Sequence, residues 1–276
     1  MRVVVTGSAG QLGVALQAEL CEHELLLLDL PDHDITDHKQ TQQLICDFGP
    51  ETVIHGAAFT NVDACERQPE LAYRVNALGT QNVALACQRS DAAMVYVSTD
   101  YVFGGAQEEP YWEWDATNPQ SVYARSKLAG EHCTQALLHR FYIVRTAWLY
   151  NRGGNNFVEK VLQLAEERDE LHFVTDEIGS PTYAPDLAKA ISELIRHPLY
   201  GIYHFTNSGV CSRYEWAKAI LECAGKPQFA LLPTTNYKRA AKVPARSELR
   251  NFFGATQLGI TLRPWRVALE AYFRAP

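Results

Sequence analysis

Tyr123 and Lys127 stand four residues apart, in the stretch Tyr-Ala-Arg-Ser-Lys. On a helix this spacing puts both side chains on one face, one turn apart. A tyrosine with its reference pKa near ~10 is a poor acid at neutral pH, but a nearby ammonium group favours the tyrosinate and lowers that pKa. The pair therefore indicates a proton donor to a ketone that receives hydride, with Lys127 also able to hold a ribose. Ordinary surface packing is the alternative, because this spacing is common.

A hydroxyl group follows a predicted strand upstream of that pair. Thr99 lies in Ser-Thr-Asp-Tyr, directly after the apolar run 94–97. In doubly wound sheets, ligands bind at the carboxyl ends of the strands. Thr99 could therefore hydrogen-bond the oxygen that reacts, although a strand-end turn of this composition also occurs without any function.

Three glycines, Gly7, Gly10 and Gly13, come directly after the first apolar run and open the first predicted helix. The first allows a tight turn, the second lets backbone approach a pyrophosphate, and the third lets the helix pack close to the sheet. A helix N-terminus also offers unpaired N–H groups and the positive end of a dipole. The order of strand, glycine loop and helix favours a dinucleotide site over an ordinary turn.

An acidic residue, Asp29, ends the second predicted strand. A carboxylate there can accept hydrogen bonds from the adenosine ribose and would repel a 2′-phosphate, which favours NADH over NADPH. Asp34 and Ile35 follow, suited to the edge and face of adenine, and the small residues 56–58 could let a cofactor approach the backbone. A turn aspartate and close packing are the alternatives.

The elements that must position these groups alternate along the first half of the chain. Short apolar runs predict buried strands, and the longer stretches between them predict helices. This alternation predicts an α/β fold, a doubly wound parallel Rossmann sheet. The predicted strands are 3–5, 25–28, 52–55, 94–97 and 142–144, and the predicted helices are 11–20, 36–48, 69–88 and 122–138.

After about residue 150 the pattern loosens and prolines become frequent. We expect a dinucleotide-binding domain at 1–150 and a smaller, mainly substrate-binding lobe at 151–276, with segments such as 184–205 returning to the first domain. Helices are expected at 156–167, 185–196 and 212–223, and strands at 171–174 and 202–205. The stretch 238–250 holds five basic residues against one acid. It is either a solvated surface or a lobe that meets an anionic substrate.

The composition sets outer limits on function. The 276 residues are 47% hydrophobic with a formal charge of −7, which excludes global disorder and argues against a general nucleic-acid binder. No apolar run approaches the ~18 residues of a membrane span, so no membrane partner is expected. Seven cysteines without a C-x-x-C pair and nine scattered histidines predict free thiols and no metal centre. A cytoplasmic protein is the expectation.

Together these motifs resemble those of the extended short-chain dehydrogenase/reductases, and within them the dTDP-4-dehydrorhamnose reductase family. Further matches are Ser-Lys-Leu-Ala-Gly-Glu (126–131), Arg-Thr-Ala-Trp-Leu-Tyr (145–150), Gly-Asn-Asn-Phe (154–157), Gly-Ser-Pro-Thr (179–182) and Pro-Ala-Arg (244–246). The resemblance covers nearly the whole chain. It implies NAD(P)H-dependent reduction of the C4 ketone of a nucleotide-linked 4-keto-6-deoxysugar, dTDP-4-dehydro-L-rhamnose, to dTDP-L-rhamnose.

The resemblance also assigns roles by position. Thr99, Tyr123 and Lys127 would be catalytic. NADH or NADPH is expected on Tyr123, Lys127, Gly7, Gly10, Gln11, Leu12, Gly13, Asp29, Asp34, Ile35, Gly56, Ala57 and Ala58, and the nucleotide-sugar substrate on Thr99, Asp100, Trp148, Asn156 and Arg246.

Two positions bear on the alternatives. Ala15 stands where family members often carry an acid linked to a magnesium-bridged dimer, so that bridge is not expected, although a homodimer stays open. Tyr101 stands where related dehydratases carry a glutamate base, which favours simple reduction over dehydration. Other sugar-nucleotide reductases or epimerases, and a non-catalytic regulatory subunit resembling the methionine adenosyltransferase β-subunit, remain as alternative functions.

Overall fold

The computed structural model describes residues 1–235 and 237–274. The last two residues of the expected second domain, and Asn236 within it, lie outside the described residues. The strands are β1 (Arg2–Thr6), β2 (Glu24–Leu28), β3 (Thr52–His55), β4 (Ala93–Thr99), β5 (Phe141–Thr146), β6 (Leu149–Tyr150), β7 (Glu170–Val174), β8 (Ile178–Gly179), β9 (Thr182–Tyr183), β10 (Gly201–His204), β11 (Cys211–Ser212) and β12 (Ala230–Thr234).

The helices begin and end close to the predicted positions in the first half of the chain. They are α1 (Gln11–Glu19), α2 (His38–Phe48), α3 (Val62–Arg67), α4 (Pro69–Tyr73), α5 (Thr80–Ser90), α6 (Val122–Leu137), α7 (Phe157–Glu167), α8 (Ala184–Leu194), α9 (Arg213–Cys223), α10 (Phe253–Leu258) and α11 (Trp265–Arg274), with a π-helical segment at Arg74–Gly79 and a 3-10 turn at Asp100–Val102. In the described residues, none of these helices has the length and apolarity needed to cross a membrane.

A six-stranded sheet in the order β10-β5-β4-β3-β1-β2 forms the centre, and all of its pairs are parallel. All four residues of β3 are buried, as expected of a strand covered on both faces. The chain order reverses between β1 and β3, where a crevice opens at the carboxyl ends of the strands. The predicted doubly wound α/β fold is confirmed.

Alternating side chains of β1 feed the two hydrophobic layers. Val3 and Val5 pack with Leu16 of α1 and Leu187 of α8, while Val4 packs with Val83 of α5 on the opposite face. This two-residue period explains why the strand reads as continuously apolar. The later segment that contains α8 and β10 covers and extends the same sheet, since β10 pairs with β5.

A second core lies in the remaining part of the chain. Trp216 of α9 is buried among Val161 of α7, Leu269 of α11 and Tyr150. The parallel pair β7–β12 and the antiparallel pair β8–β11 flank these helices. This region lies beside the carboxyl ends of the main sheet, because β6 follows β5 directly and pairs with β9.

The helix predicted at 69–88 is interrupted in its middle by the π-helical segment Arg74–Gly79. Asn76 in that segment is fully buried, and its side chain accepts from Phe59 N at 2.8 Å and donates to Ser126 Oγ at 2.9 Å. Gly79 allows the close approach of Ile35, because a Cβ at Gly79 would lie 2.6 Å from the Ile35 Cδ1. The segment thus holds the loop after β3 against α6, the helix that carries Tyr123.

Candidate active site

A cleft of about 900 Å³ runs along the carboxyl ends of the main sheet. It is lined by the predicted catalytic residues Thr99, Tyr123 and Lys127 and by Trp148. The predicted cofactor residues line it as well: Gly7, Gly10, Gln11, Leu12, Gly13, Asp29, Asp34, Ile35, Gly56, Ala57 and Ala58. The fold therefore brings residues from six separate stretches of sequence to one crevice.

In the glycine loop at one end of the cleft, the positions of Gly7 and Gly13 have no room for a side chain. Gly7 has a φ of +69°, and a Cβ there would lie 2.7 Å from the Ala57 backbone N. A Cβ at Gly13 would lie 2.3 Å from the Gly7 carbonyl oxygen. No side chain caps the N-terminus of α1 at Gly10, so its backbone N–H groups face the cleft. This cradle fits a pyrophosphate, and the residues present therefore suit a dinucleotide.

Asp29 is fixed beside this loop by two backbone donors. Its Oδ2 accepts from Ala9 N at 2.7 Å and its Oδ1 accepts from Leu30 N at 2.8 Å. Asp34 lines the same end of the cleft, and burial lowers the pKa of the neighbouring His33, opposed by the nearby aspartates. The adenosine end is therefore rich in acceptors and suited to ribose hydroxyls.

Tyr123 lies in the first turn of α6, where the N-cap Ser121 accepts from Ala124 N at 3.2 Å. Its ring packs edge-on against Tyr101, with 6.1 Å between the ring centres. Burial raises the pKa of Tyr123, and the nearby Thr99 hydroxyl opposes that rise. The structure thus brings the two predicted hydroxyls together and keeps the phenol protonated.

Thr99 is held by its neighbours at the end of β4. Its Oγ1 donates to Asp100 Oδ1 at 3.0 Å and accepts from Tyr101 N at 3.2 Å. Asp100 Oδ2 accepts from Ser247 Oγ at 2.5 Å. Burial raises the pKa of Asp100 to about 6, while the hydrogen bonds from Ser247 and Thr99 oppose the change. Asp100 lines the cleft, but both of its oxygens are engaged in holding Thr99 and Ser247.

Lys127 occupies the next turn of α6 and is almost fully buried. Its Nζ donates to the Val97 carbonyl oxygen at 2.8 Å and lies 4.2 Å from the centre of the Tyr96 ring. Burial lowers the pKa of Lys127 to about 7, and Glu131 opposes this. The expectation that Lys127 lowers the pKa of Tyr123 is wrong for this arrangement, because the amine is directed at the β4 backbone and burial dominates at the phenol.

A buried ion pair between Glu131 and Arg145 lies beside the C-terminal end of β4. Glu131 accepts from Arg145 at 3.0 and 2.8 Å and from Ser98 Oγ at 2.5 Å. Lys127 and Glu131, four residues apart on α6, thus bind Val97 and Ser98, the two residues before Thr99. Because α6 also carries Tyr123, this network fixes the hydroxyls of Thr99 and Tyr123 relative to each other.

The structure does not bring two of the expected substrate residues into the cleft. Asn156 is the N-cap of α7, and its Nδ2 donates to Asn151 O at 2.7 Å. Arg246 pairs with Glu248 at 2.5 Å and bridges to Ile178. Neither residue lines the cleft, because each completes local structure instead.

Sequence reasoning missed two groups that do line the cleft. One is the loop 151–155, which lies against the glycine loop through a hydrogen bond from Asn151 Nδ2 to Gln11 O at 2.9 Å. The other is Arg213, whose guanidinium carbon lies 3.5 Å from the centre of the Trp148 ring. Trp148 itself has a φ of +46°, a strained value for a non-glycine residue. The loop overlaps the Gly-Asn-Asn-Phe stretch (154–157), in which the resemblance gave a role to Asn156 alone, and no motif marks Arg213.

The fold and this site define a dinucleotide-binding enzyme of the extended short-chain dehydrogenase/reductase class. The chain belongs to the family of the dTDP-4-dehydrorhamnose reductases: the model of the family described as RmlD substrate binding domain matches residues 1–275.

Similar proteins span the whole chain. The chain is 41% identical to the spore coat polysaccharide biosynthesis protein SpsK of Bacillus subtilis over 99% of this chain and 97% of that protein. It is 40% identical to the dTDP-4-dehydrorhamnose reductase of Mycobacterium tuberculosis strain H37Rv, over 100% of this chain and 93% of that protein. The crystal structure of dTDP-4-dehydrorhamnose reductase from Bacillus anthracis in complex with NADP has a TM-score of 0.96 at 41% identity, covering 99% of this chain and 98% of the other.

Proposed function

We propose that this chain reduces the C4 ketone of dTDP-4-dehydro-L-rhamnose with NAD(P)H and releases dTDP-L-rhamnose. The observation that carries the proposal is the meeting of the Thr99 and Tyr123 hydroxyls in the cleft that also holds the glycine loop. Several dTDP-4-dehydrorhamnose reductases are 33–40% identical to this chain over nearly its full length. The chain is accordingly an enzyme of this type.

The glycine loop would hold the pyrophosphate, Asp29 the adenosine ribose and Lys127 the second ribose. When bound, the reduced nicotinamide supplies hydride to the carbonyl carbon. With substrate bound, the Thr99 hydroxyl would turn its proton from Asp100 Oδ1 to the carbonyl oxygen and orient it, while the hydrogen bond from Tyr101 N keeps Oγ1 in place. Tyr123 gives its phenolic proton to the same oxygen, and its raised pKa keeps the proton in place until negative charge develops there.

Reduction fits the site better than dehydration, which removes a carbon-bound proton with a carboxylate base. Tyr101 follows Asp100, and burial raises the pKa of its phenol. A neutral buried phenol does not serve as that base. The ionisable groups at the strand end instead assemble one acid, Tyr123, with the hydroxyl of Thr99 beside it.

A coupled assay tests the proposal. The protein is mixed with NADH and freshly made dTDP-4-keto-6-deoxysugar, and absorbance of the reduced cofactor is followed. We expect consumption by the wild type and a loss of at least ~100-fold for Tyr123→Phe, since general acid catalysis is worth about that much. Tyr142→Phe is a matched control, because that buried tyrosine donates to His197 O away from the cleft. Undiminished consumption by Tyr123→Phe would refute the assignment.

We also infer that the reaction takes place in the cytoplasm, where nucleotide sugars and reduced nicotinamide cofactors are both available. The nucleotide-sugar substrate is the partner that binds in the cleft. A homodimer remains a prediction, and light scattering coupled to gel filtration decides between a mass near 31 kDa and twice that value.

A further inference from the structure

Arg213 is a partly buried cation in the wall of the cleft. It is the first residue of α9, and its side chain is 16% exposed. The guanidinium lies over the Trp148 ring, with its central carbon 3.5 Å from the ring centre and 5.0 Å from that of Phe157. Contact with these rings restricts the position of the guanidinium and leaves its N–H groups free to bind a ligand.

The guanidinium lacks a full set of acceptors. Its nearest carboxylate oxygen is Glu177 Oε2, at 3.7 Å from Nε, which is too long for a hydrogen bond. The other oxygen of Glu177 accepts from Arg239. Within residues 1–235 and 237–274 the Arg213 side chain donates no hydrogen bond. Arg213 lines the cleft, so these N–H donors are open to it and can bind an anionic acceptor there.

The position of Arg213 selects the part of a ligand that it would meet. Its charge acts on Asp100 and Tyr101, the two residues after Thr99, so it lies close to the reacting end of the cleft. On its far side, Glu177 links it to Arg239. Arg239 lines a second cavity of about 460 Å³ together with Lys238 and Lys242. Asp176 and Glu177 line the same cavity, so the basic side chains beyond Arg213 alternate with acids and Arg213 is the cation that faces the catalytic hydroxyls.

We propose that Arg213 binds the diphosphate of the nucleotide-sugar substrate, with Trp148 and Glu177 fixing its guanidinium for a bidentate contact. This proposal rests on the proposed function for the identity of the substrate. A planar fork matches two phosphate oxygens in a way that a lysine ammonium does not. Arg213 is therefore a substrate-binding residue, and it replaces Arg246 in that role.

Binding of dTDP, measured by titration calorimetry, tests the proposal without turnover. Arg213→Met keeps an apolar side chain over Trp148 but removes the charge and the donors. We expect a Kd for dTDP about 10- to 100-fold weaker than that of the wild type, the usual cost of a charge-assisted contact. Arg213→Lys should recover only part of this loss. Arg196→Met, which removes an exposed arginine of the helix region facing away from the cleft, controls for net charge.

Two further readouts separate a binding role from a structural one. The Kd for NADH should be unchanged in Arg213→Met, which shows that the cleft is intact. With the keto sugar, KM should rise about 10-fold or more while kcat stays within about threefold. The proposal is overturned if wild type does not bind dTDP, if Arg213→Met binds it within twofold of wild type, or if NADH affinity falls in parallel. Absence of turnover by the wild type, with dTDP binding still dependent on Arg213, would overturn the proposed reaction alone.

Discussion

Replacing Lys127 by Met should make stability less dependent on pH while abolishing activity. Burial lowers the pKa of Lys127 from 10.5 to about 7, so the unfolded chain binds more protons than the native protein between these two values. The free energy of unfolding of the wild type therefore increases as the pH rises from about 7 to 10.5. Lys127→Met removes the titration, whereas the wild type carries the cost of a buried ammonium at neutral pH.

The magnitude follows from the two pKa values. At pH 7 the native lysine is half protonated and the unfolded lysine fully so, and by pH 9 the native lysine is neutral. Between pH 7 and pH 9, the free energy of unfolding of the wild type should therefore increase by about 2 kcal/mol more than that of Lys127→Met. The carbonyl of Val97 loses its donor in the variant, which costs about 1 kcal/mol at every pH and drops out of the difference.

Urea denaturation at pH 7, 8 and 9 without nucleotide measures this difference, provided that the m-values agree. Lys189→Met, at an exposed position of α8, controls for the loss of a lysine as such. Parallel stability curves for wild type and Lys127→Met would refute the reasoning, since they would mean that the lysine has the same pKa in both states. NADH oxidation should be lost in Lys127→Met and retained in the control.

Three further outcomes follow from the site. Because Asp29 accepts from Ala9 N and Leu30 N and its charge would repel a 2′-phosphate, kcat/KM should favour NADH over NADPH by at least ~10-fold, and Asp29→Ser should reduce that preference; an unchanged ratio would contradict this. Gly13→Ala should weaken NADH binding at least ~10-fold by calorimetry, because its Cβ would meet the Gly7 carbonyl, and wild-type affinity would disprove the tight cradle. Ser247→Ala removes a hydrogen bond that lowers the pKa of Asp100, so the acidic limb of the kcat profile should move above pH 6; an unmoved limb would show that Asp100 does not govern the rate.

The local motifs were sufficient to predict the sheet and to place the glycine loop, Asp29 and the Tyr123–Lys127 pair at one edge of it. The glycine loop, Asp29 and the Tyr123–Lys127 pair each combine residue type, spacing and a neighbouring element, and short-range geometry then decides where they lie. Strand β10 could be placed only in outline, because its pairing with β5 joins segments about sixty residues apart.

The substrate half of the cleft could not be predicted in the same way. Ser247 reaches Asp100 across 147 residues, and Arg213 meets Trp148 only because α9 packs beside β6. Asn156 shows the opposite error, since a motif that resembles a family signature serves here as a helix cap. Contacts of this kind depend on tertiary packing, for which spacing along the chain carries no signal.

Transfer of deuterium from [4-²H]NADH, with the label on the hydride that is transferred, tests the central claim most directly. The account predicts one deuterium at C4 of the sugar in the product with dTDP-4-dehydro-L-rhamnose, detected by mass spectrometry and NMR, and at least ~100-fold less labelled product with Tyr123→Phe in the same time. Label at another carbon, or cofactor consumption without label in the sugar, would contradict it.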